Sequence, residues 1–370
     1  MIKLPLFAVA AFAILLGSPA NAQRWTAIDV GWAHACALDA EGRAYCWGGN
    51  HVGQLGAATP ERCQALVGST RPFCMPTDAP APVAVSGGHR FRHIRAGHGA
   101  TCGVDVQDRL LCWGILIDHT PTTPPFAAGL RFGHLGEGGA VMCGAQKPSG
   151  GRCWEQRAPT WVLGREFPAL PFLAVAAAPN PGELFCGLAR DAQLVCSGKN
   201  PVGEMGTLSP SDTTGFVRSG GDRRYRAIAL MPNWTCGLTM EGAAYCWGAL
   251  GRAGPFRGGD ERCASGLPCS ATPQAMEPER RFQSLEHDRT QVCGLTEAGT
   301  IHCWKQSGEP APTATTERFR AISGGPMGWC GISRTNAILC WEPGAAETTP
   351  VRVPRPSAPA RNATPGQPRR

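Results

Sequence analysis

The sequence predicts an all-β protein, a seven-bladed β-propeller, from three observations. Two cysteines ten positions apart recur along the chain, a short aromatic and aliphatic element precedes each pair, and no stretch has helical periodicity. Repeats of ~40–60 residues with three or four short strands are typical of propeller blades, whereas a β-solenoid uses shorter repeats and a sandwich needs no equivalent hairpins. The pairs are Cys36–Cys46, Cys102–Cys112, Cys143–Cys153, Cys186–Cys196, Cys236–Cys246, Cys293–Cys303 and Cys330–Cys340.

Each pair predicts a hairpin closed by a disulfide. In the first repeat Leu38 and Tyr45 flank the turn Asp39–Gly42. A three-residue loop would place Cys36 directly opposite Cys46, and opposed residues lie about 4.5–5.5 Å apart, which a disulfide accepts. Zinc is the alternative, but zinc ligand pairs usually have a gap of only about two to four residues. We therefore predict disulfides and no metal site.

The sixth residue after the first cysteine occupies the turn, where the backbone must be left-handed. Glycine, asparagine and aspartate tolerate that conformation. The serine and the alanine of repeats three and four fit less well, so we expect these two hairpins to turn differently. The residues at this position are Gly42, Asp108, Ser149, Ala192, Gly242, Gly299 and Asn336.

The residues beside the cysteines predict two different faces on each hairpin. Tryptophan follows the second cysteine in six repeats, with Ser197 as the exception, and glycine follows the first cysteine in six, with Ala37 as the exception. A large neighbour must cover a glycine within a strand, and the tryptophan can do so across the strands. Each hairpin should present a sulfur face and an indole face.

The N-terminal segment resembles a signal peptide. Lys3 is followed by the apolar run Leu4–Leu16 and by Ala20-Asn21-Ala22, an A-x-A cleavage pattern. The run is short for a retained membrane anchor, which is the alternative. Eighteen cysteines, an even number, fit an oxidising compartment. We expect cleavage near Ala22 and a secreted or periplasmic protein of the cell envelope.

The strand order near the ends suggests how the ring closes. The first repeat begins at Trp25 without a preceding extended strand, whereas Thr349–Val353 follows the last hairpin and resembles that missing strand. We predict that this C-terminal strand completes the blade begun at the N-terminus and removes two exposed edges. The predicted domains are a signal peptide at 1–22, the propeller at 23–353 and a disordered Pro- and Arg-rich tail at 354–370.

Several short motifs resemble the regulator of chromosome condensation repeat. That family's pattern is a Gly-x-x-His strand, a turn glycine, Trp-Gly-x-Asn and Gly-Gln-Leu-Gly. Repeat one matches it in Gly31–His34, Gly42, Trp47–Asn50 and Gly53–Gly56. Repeat four matches in part, at Gly198, Asn200, Gly203 and Gly206. The resemblance covers about Arg24 to Val353 and also implies a seven-bladed propeller.

Function carries over from this resemblance only in part. Nuclear members of the family act on a small GTPase and chromatin. An export signal and a disulfide in every blade do not fit that nuclear activity. Secreted bacterial propellers similar to the family include inhibitors that bind a β-lactamase through loops on one face. The resemblance thus implies binding through loops, by analogy.

Two insertions interrupt the regular repeats. They share Glu-Arg-Cys and follow the Trp-Gly strand of blades one and five, so they should protrude from one face. We expect the disulfides Cys63–Cys74 and Cys263–Cys269, although a four-cysteine metal site remains the alternative. Preordered loops lower the entropy cost of binding, but loop-length drift explains the insertions equally well. The candidate contacts are Arg62, Phe73, Phe256, Arg257 and Arg262.

A second set of candidates lies just before the first cysteine of each pair. These side chains could ring one mouth of the central channel. The alternative is structural, with histidines that satisfy backbone groups and tryptophans that pack between blades. The candidates are Trp32, His34, His98, Trp234, His287, Asp288 and Trp329.

Composition and motifs offer little support for catalysis or nucleic-acid binding. The sequence has no Gly-x-Ser-x-Gly elbow, phosphate-binding loop or His-Glu-x-x-His motif. Residues 344–370 hold five arginines and one glutamate, so the tail supplies four of the seven net positive charges. We expect no cofactor, no nucleic-acid partner, no stable membrane insertion and a monomer.

The sequence therefore predicts an exported, non-catalytic scaffold that binds an unknown protein through loops on one propeller face. A hydrolase or lyase acting on a cell-surface polymer, with its site at a channel mouth, is the first alternative. A structural envelope component held by its tail is the second. Whether the protein is an enzyme stays open.

Overall fold

The computed structural model describes residues 23–64, 73–115, 120–124, 127–137, 141–157, 160–178, 184–207, 211–249, 261–262, 268–306, 310–311, 315–342 and 350–356. These residues form seven antiparallel sheets, one for each cysteine hairpin, and a small hairpin in the first insertion. The segment 1–22 and most of the predicted tail lie outside the described residues. Throughout the described part there is no helix with the length and hydropathy of a membrane span.

The first four blades are built from seventeen strands. Blade 1 and its insertion contain β1 (Trp25–Val30), β2 (His34–Asp39), β3 (Ala44–Gly48), β4 (Glu61–Gln64), β5 (Phe73–Pro76) and β6 (Ala79–Ala84). Blade 2 contains β7 (Phe91–Ala96), β8 (Ala100–Asp105) and β9 (Leu110–Gly114). Blade 3 contains β10 (Phe132–Glu137), β11 (Val141–Gln146), β12 (Gly151–Arg157) and β13 (Thr160–Phe167). Blade 4 contains β14 (Phe172–Ala177), β15 (Leu184–Ala189), β16 (Leu194–Gly198) and β17 (Thr213–Ser219).

The last three blades contain thirteen strands. Blade 5 contains β18 (Tyr225–Leu230), β19 (Trp234–Thr239), β20 (Ala244–Gly248), β21 (Glu261–Arg262) and β22 (Pro268–Met276). Blade 6 contains β23 (Phe282–His287), β24 (Gln291–Thr296), β25 (Ile301–Lys305) and β26 (Pro310–Ala311). Blade 7 contains β27 (Phe319–Gly325), β28 (Gly328–Ser333), β29 (Ile338–Trp341) and β30 (Val351–Arg352). A 3-10 helix at Ser86–Gly88 connects blades 1 and 2.

The structure confirms the disulfide in each of the seven hairpins. In the first blade Cys36 pairs with Cys46 across β2 and β3, and all seven bridges join cysteines ten residues apart. The Cα atoms of each pair are 4.0–4.1 Å apart, close to the spacing of directly opposed residues. Disulfides throughout the fold indicate an oxidising compartment outside the cytoplasm.

The interface between neighbouring blades joins the sulfur face of one to the aromatic face of the next. Between blades 1 and 2, for example, Cys36 and Cys46 share a buried cluster with Phe91 and Trp113. The same arrangement recurs at the following interfaces, and Cys330 of blade 7 packs with Trp25 and Trp47 of blade 1. The ring is therefore continuous through blades 7 and 1.

In the six blades with a strand glycine, the aromatic residue at the start of the innermost strand covers that glycine. A Cβ atom at Gly144 would lie 2.5 Å from Phe132 Cδ1, and one at Gly294 would lie 2.5 Å from Phe282 Cδ1. The prediction assigned this cover to the tryptophan, which contacts the same aromatic ring, with Trp154 5.7 Å from Phe132. In blade 5 it also lies near the glycine, where Trp247 is 3.2 Å from a Cβ placed at Gly237. In blade 4, which has Ser197, Phe167 of blade 3 lies 5.4 Å from Phe172.

The predicted closure by the C-terminal strand is wrong. β30 pairs with β29 of its own blade, Val351 opposite Cys340, and β6 likewise completes blade 1 as its outer strand. Each Pro-rich extended segment thus belongs to the blade before it, because the chain runs outward from the channel within each blade. Blades 1 and 7 meet through side chains instead, and no strand is exchanged between them in the described residues.

Asn336 holds the N-terminal strand against blade 7. Its Oδ1 atom accepts a hydrogen bond from the Trp25 N–H at 3.0 Å, and its Nδ2 donates to the Gln23 carbonyl at 2.6 Å. Arg320 donates to Asn336 Oδ1 and to the Trp25 carbonyl. At five other interfaces the backbone carbonyl of the corresponding turn residue accepts the N–H of the next blade's aromatic residue, as Gly42 does for the Phe91 N–H at 2.7 Å.

Unusual hairpin turns were predicted for blades 3 and 4, and the structure has one only in blade 3. In blade 3 the Lys147–Pro148 peptide is cis and the left-handed residue is Gly150, so that hairpin does turn differently. In blade 4, however, Ala192 has φ +67° and follows the common pattern. Its carbonyl accepts the Tyr225 N–H at 2.9 Å, the same contact to the next blade that Gly242 makes in blade 5.

We predict that Ala192→Gly stabilises the protein. At φ +67° the Cβ of alanine lies too close to the following carbonyl oxygen, and glycine has no such atom. Removing this repulsion should outweigh the larger conformational entropy that glycine loses on folding, for a net gain of about 0.5–1 kcal/mol. Chemical denaturation of the oxidised protein measures the difference. The reverse change at the matched position, Gly242→Ala, should destabilise by about 1 kcal/mol or more. An Ala192→Gly variant no more stable than the parent contradicts the prediction.

We predict that Asn336→Gly weakens the closure of the ring. Glycine keeps the left-handed turn but removes hydrogen bonds to Gln23, Trp25 and Arg320, so unfolding should become easier by about 1–3 kcal/mol. Hydrogen exchange should rise in β1 first. Asn336→Asp retains the acceptor and should have a smaller effect. Unchanged protection of the β1 amides would disprove this role.

Candidate functional site

The two insertions and the turns that end the innermost strands lie on the same face of the ring. Strands in each blade are antiparallel, so the first turn and the connection after the third strand emerge at the same end. Direct contacts show this, since Gly49 N–H donates to the Ala33 carbonyl at 2.7 Å and Ala249 N–H to the Asn233 carbonyl at 2.8 Å. We call this side the insertion face, and the side with the Gly42 and Gly242 turns the hairpin face.

The structure describes only part of the predicted loop contacts. In the first insertion Arg62 pairs with Met75, Gln64 with Phe73, and Cys63 lies directly opposite Cys74. This register agrees with the expected disulfide of that loop. In the second insertion Arg262 pairs with Pro268. Cys269 is disulfide-bonded, whereas Cys263, Phe256 and Arg257 lie outside the described residues.

Trp32 is the exposed aromatic residue at the centre of the insertion face. Its side chain is 37 % exposed and follows β1. The His98 ring of blade 2 contacts it edge-on, with centroids 4.5 Å apart, and the Arg289 guanidinium of blade 6 lies 4.8 Å above the indole. Because blades 6 and 2 flank blades 7 and 1, this Trp32 cluster spans a four-blade sector around the channel mouth.

A buried aspartate holds Arg289 in an unusual backbone conformation. Arg289 has φ +81°, a region that residues with a side chain rarely adopt. Asp288 Oδ1 accepts the N–H groups of Thr290 at 2.8 Å and Gln291 at 3.0 Å, and its Oδ2 accepts the Trp329 indole N–H at 2.6 Å. Such strained positions persist where the surroundings fix them and often occur at binding sites.

Three other predicted candidates are buried between blades and cannot form part of an accessible surface. His34 Nε2 lies 2.7 Å from Thr101 Oγ1, which donates to the Gln54 carbonyl of the Gly-Gln-Leu-Gly motif. Trp234 and Trp329 are 2 % and 1 % exposed. We therefore remove these three from the candidate surface, because the strand alternation directs their side chains into the interfaces. Asp288 is likewise buried, and the partly buried His287 lines the channel cavity, so Trp32 and His98 remain as exposed candidates.

The central channel encloses a cavity of about 230 Å³ lined by the innermost strands of all seven blades. The residue opposite the first cysteine of each blade occupies an equivalent place in these strands. Blades 6, 7, 1 and 2 have polar residues there and blades 3 to 5 have small ones. In blade order they are Asp29, Arg95, Gly136, Ala176, Ala229, Glu286 and Ser323.

This polar part of the channel contains one ion pair and one further carboxyl group. Arg95 Nη1 lies 2.6 Å from Asp29 Oδ1, while Asp29 Oδ2 accepts the Ala96 N–H at 2.5 Å. Burial nevertheless raises the pKa of Asp29. Burial also raises the pKa of Glu286 to about 7, which Asp29 reinforces and Arg95 opposes. Glu286 therefore titrates near neutrality.

The buried histidines of the channel region are neutral at pH 7. Burial lowers the pKa of His134 to about 3 and that of His287 to about 4, and it holds the pKa of His93 well below its usual value. His93 and His134 lie ring to ring at 4.5 Å. Among the described residues no group of three histidine, cysteine or acidic side chains is placed to hold a metal ion.

Sequence reasoning identified Trp32 but missed Asp29, Arg95, Glu286 and Arg289. The first three share one register position, four residues after the aromatic that begins each innermost strand. Aligning the seven repeats on that aromatic would have shown this position as polar in four adjacent blades. Arg289 gave no such signal, because no other repeat has an arginine at the corresponding place of its sequence.

The repeat family described as Regulator of chromosome condensation (RCC1) repeat matches residues 25–54 and 41–104, in blade 1 and the start of blade 2. Human WBSCR16 has a similar structure, with a TM-score of 0.64, 14% identity, and coverage of 86% of this chain and 95% of that chain. No curated protein matches the chain.

Two further solved structures share the fold. Prp20p from Saccharomyces cerevisiae has a TM-score of 0.63 and 17% identity, covering 81% of this chain and 80% of that chain. The CRINKLY WD40 ectodomain of the Arabidopsis thaliana receptor kinase ACR4 has a TM-score of 0.56 and 19% identity, covering 90% and 99%. The chain is thus a seven-bladed propeller of RCC1 type with a disulfide in each blade.

We predict that Glu286 makes stability depend on pH. With a native pKa of about 7 and an ordinary value of 4.5, Glu286 loses its proton on unfolding between these pH values. Stability should therefore fall as pH rises through this window. In urea titrations from pH 5 to pH 8, Glu286→Gln should flatten that decline, whereas Glu279→Gln, an exposed control, should not. Parallel pH profiles for parent and Glu286→Gln contradict the assignment.

Proposed function

We propose that this protein is an exported, non-catalytic scaffold that binds another protein through its insertion face. The supporting observation is the Trp32 cluster, a solvent-exposed indole fixed between His98 and Arg289 on the same face as both insertions. Tryptophan and arginine are the residues that most often dominate binding energy at protein interfaces. A partner that covers Trp32 would also lie beside the first insertion, which belongs to the same blade.

The rigidity of this surface favours binding. Disulfides fix every blade, and Asp288 fixes the turn that carries Arg289. A preordered surface loses less conformational entropy on association than flexible loops do. The insertions extend this surface, and their candidate contacts Arg62, Phe73, Phe256, Arg257 and Arg262 form the proposed rim. Prp20p, a propeller of the same fold, is described with binding properties to Gsp1p and histones.

The proposed location is outside the cytoplasm, in the secreted or cell-envelope fraction. The disulfides of the seven blades support it, as does the predicted signal peptide at 1–22, which lies outside the described residues. The proposed partner is accordingly another secreted or cell-surface protein.

A hydrolase or lyase is the second candidate function, and Glu286 is the observation that favours it. A carboxyl group with a pKa of about 7, close to a second carboxylate in a cavity, has the properties of a general acid or base. Turnover of a cell-surface polysaccharide or peptide panel, abolished by Glu286→Gln, would replace the scaffold proposal.

A structural role through the tail predicts that deletion of 354–370 releases the protein from the cell surface.

The test is affinity capture by the oxidised protein from its own extracellular or envelope fraction, followed by mass-spectrometric identification. With the purified partner, Trp32→Ala should weaken binding about 30-fold or more, and Arg289→Ala should also weaken it. Met240→Ala, an exposed change on the hairpin face, is the control. Equal binding by parent and Trp32→Ala, or loss caused by Met240→Ala alone, overturns the proposal.

A further inference from the structure

The hairpin face carries a ring of arginines at the other mouth of the channel. In six blades an arginine immediately precedes the aromatic residue that begins the innermost strand, and all six are exposed. Blade 4 has Pro171 in this place, but the exposed Arg190 lies beside it and donates its N–H to the Pro171 carbonyl at 2.7 Å. The arginine ring consists of Arg24, Arg90, Arg131, Arg224, Arg281 and Arg318.

A second set of arginines ties neighbouring blades together, and within the ring only Arg224 does the same in the described residues, through its Nη1 and the Asp191 carbonyl of blade 4. Arg92 Nη2 donates to the Phe132 carbonyl at 2.6 Å and Arg226 Nη2 to the Phe282 carbonyl at 2.6 Å, each tying its blade to the next. The ring arginines have no ion pair with any carboxylate of the described residues. Arg131, for example, donates only to the neighbouring Leu130 carbonyl at 3.2 Å. Apart from Arg224, the ring arginines thus make only local side-chain hydrogen bonds in the described residues.

Exposed aliphatic side chains stand directly beside the ring. Val106 is 63 % exposed and its N–H donates to the Arg90 carbonyl at 3.0 Å. Met240 is 53 % exposed and its N–H donates to the Arg224 carbonyl at 3.2 Å. Leu170 and Leu173 are also exposed and flank Pro171 in blade 4. Half of the large exposed hydrophobic residues in the described chain thus share this one face with the ring.

The positive charge is strongest on the side of blades 1 to 3. There the turn carboxylates have basic partners, since Asp39 and Glu41 share Arg43, Asp105 pairs with Arg109, and Asp108 pairs with both Arg92 and Lys147. Unpaired exposed carboxylates lie on the side of blades 4 to 7. They are Asp191, Asp222, Glu241, Glu279, Glu297 and Glu317.

We propose that the hairpin face adsorbs on the phosphate groups of an anionic lipid bilayer. Guanidinium groups bind phosphate in a bidentate manner, and basic residues are attracted to anionic headgroups. Exposed valine, leucine and methionine beside them can enter the interface between headgroups and acyl chains. A soluble polyanion or an acidic protein would pair with the arginines but would not offer the apolar layer that these aliphatic side chains can enter. Adsorption in this orientation leaves the insertion face directed away from the membrane.

Co-sedimentation of the full oxidised chain with vesicles tests the proposal. Binding to vesicles of phosphatidylcholine with about 30 % phosphatidylglycerol should exceed binding to pure phosphatidylcholine and should fall with added salt. R90E/R131E should bind at least about 20-fold more weakly. K199E/K305E, which makes the same charge change on the insertion face, should bind like the parent. The basic tail is present in every variant, so its contribution cancels.

A second variant distinguishes the bilayer from other anions. V106S/M240S should weaken vesicle binding about tenfold and leave binding to soluble dextran sulfate unchanged, because only a bilayer accepts the aliphatic side chains. Both positions are exposed, so thermal unfolding should match the parent. Equal vesicle binding by R90E/R131E and its control overturns the proposal. Vesicle binding unaffected by V106S/M240S also overturns it, because the exposed aliphatic side chains would then not enter the bilayer.

Discussion

The fold depends on one contact that is repeated around the ring, the packing of a blade's disulfide against the aromatic residues of the next blade. The disulfide connects only the two strands within a blade, so cohesion between blades comes from buried sulfur, phenyl and indole surface. A backbone hydrogen bond from the aromatic N–H to the preceding turn accompanies this contact at most interfaces. At the closure of the ring, Asn336 supplies that hydrogen bond with its side chain.

Local signals made the hairpins predictable. The interval of ten residues, the turn residue and the alternation of strand side chains together fixed the register that places Cys36 opposite Cys46. The closure was not predictable in the same way. In a cyclic repeat the extended segment between two hairpins can belong to either one, and only the pairing of Val351 with Cys340 decides it. Ala192 adopts a left-handed conformation against its own preference because Tyr225 binds its carbonyl.

The site was less predictable than the fold because its residues become neighbours only when the ring closes. Trp32 and Arg289 are far apart in sequence and belong to different blades, yet they stack at the channel mouth. Glu286 faces a cavity that no single repeat contains. His34 and Trp329 were candidates because they are polar or aromatic and lie near a predicted channel mouth. Both are buried in the interfaces between blades.

The same rigid frame presents two chemically different faces. One carries the Trp32 cluster and the insertions, and the other carries unpaired arginines beside exposed aliphatic side chains. Because antiparallel pairing sends alternate turns to opposite sides, insertions after the third strand extend one face and leave the other unchanged. The two faces can therefore differ in length and charge without altering the interfaces between blades.

Disulfide mapping of the unreduced protein by peptide mass spectrometry is the most direct test of this account. Seven bridges should join cysteines ten residues apart, each within a single hairpin and none between blades. Free thiols at these positions, or bridges that join different hairpins, would contradict it, because the sulfur faces that pack against the aromatic residues would then not exist.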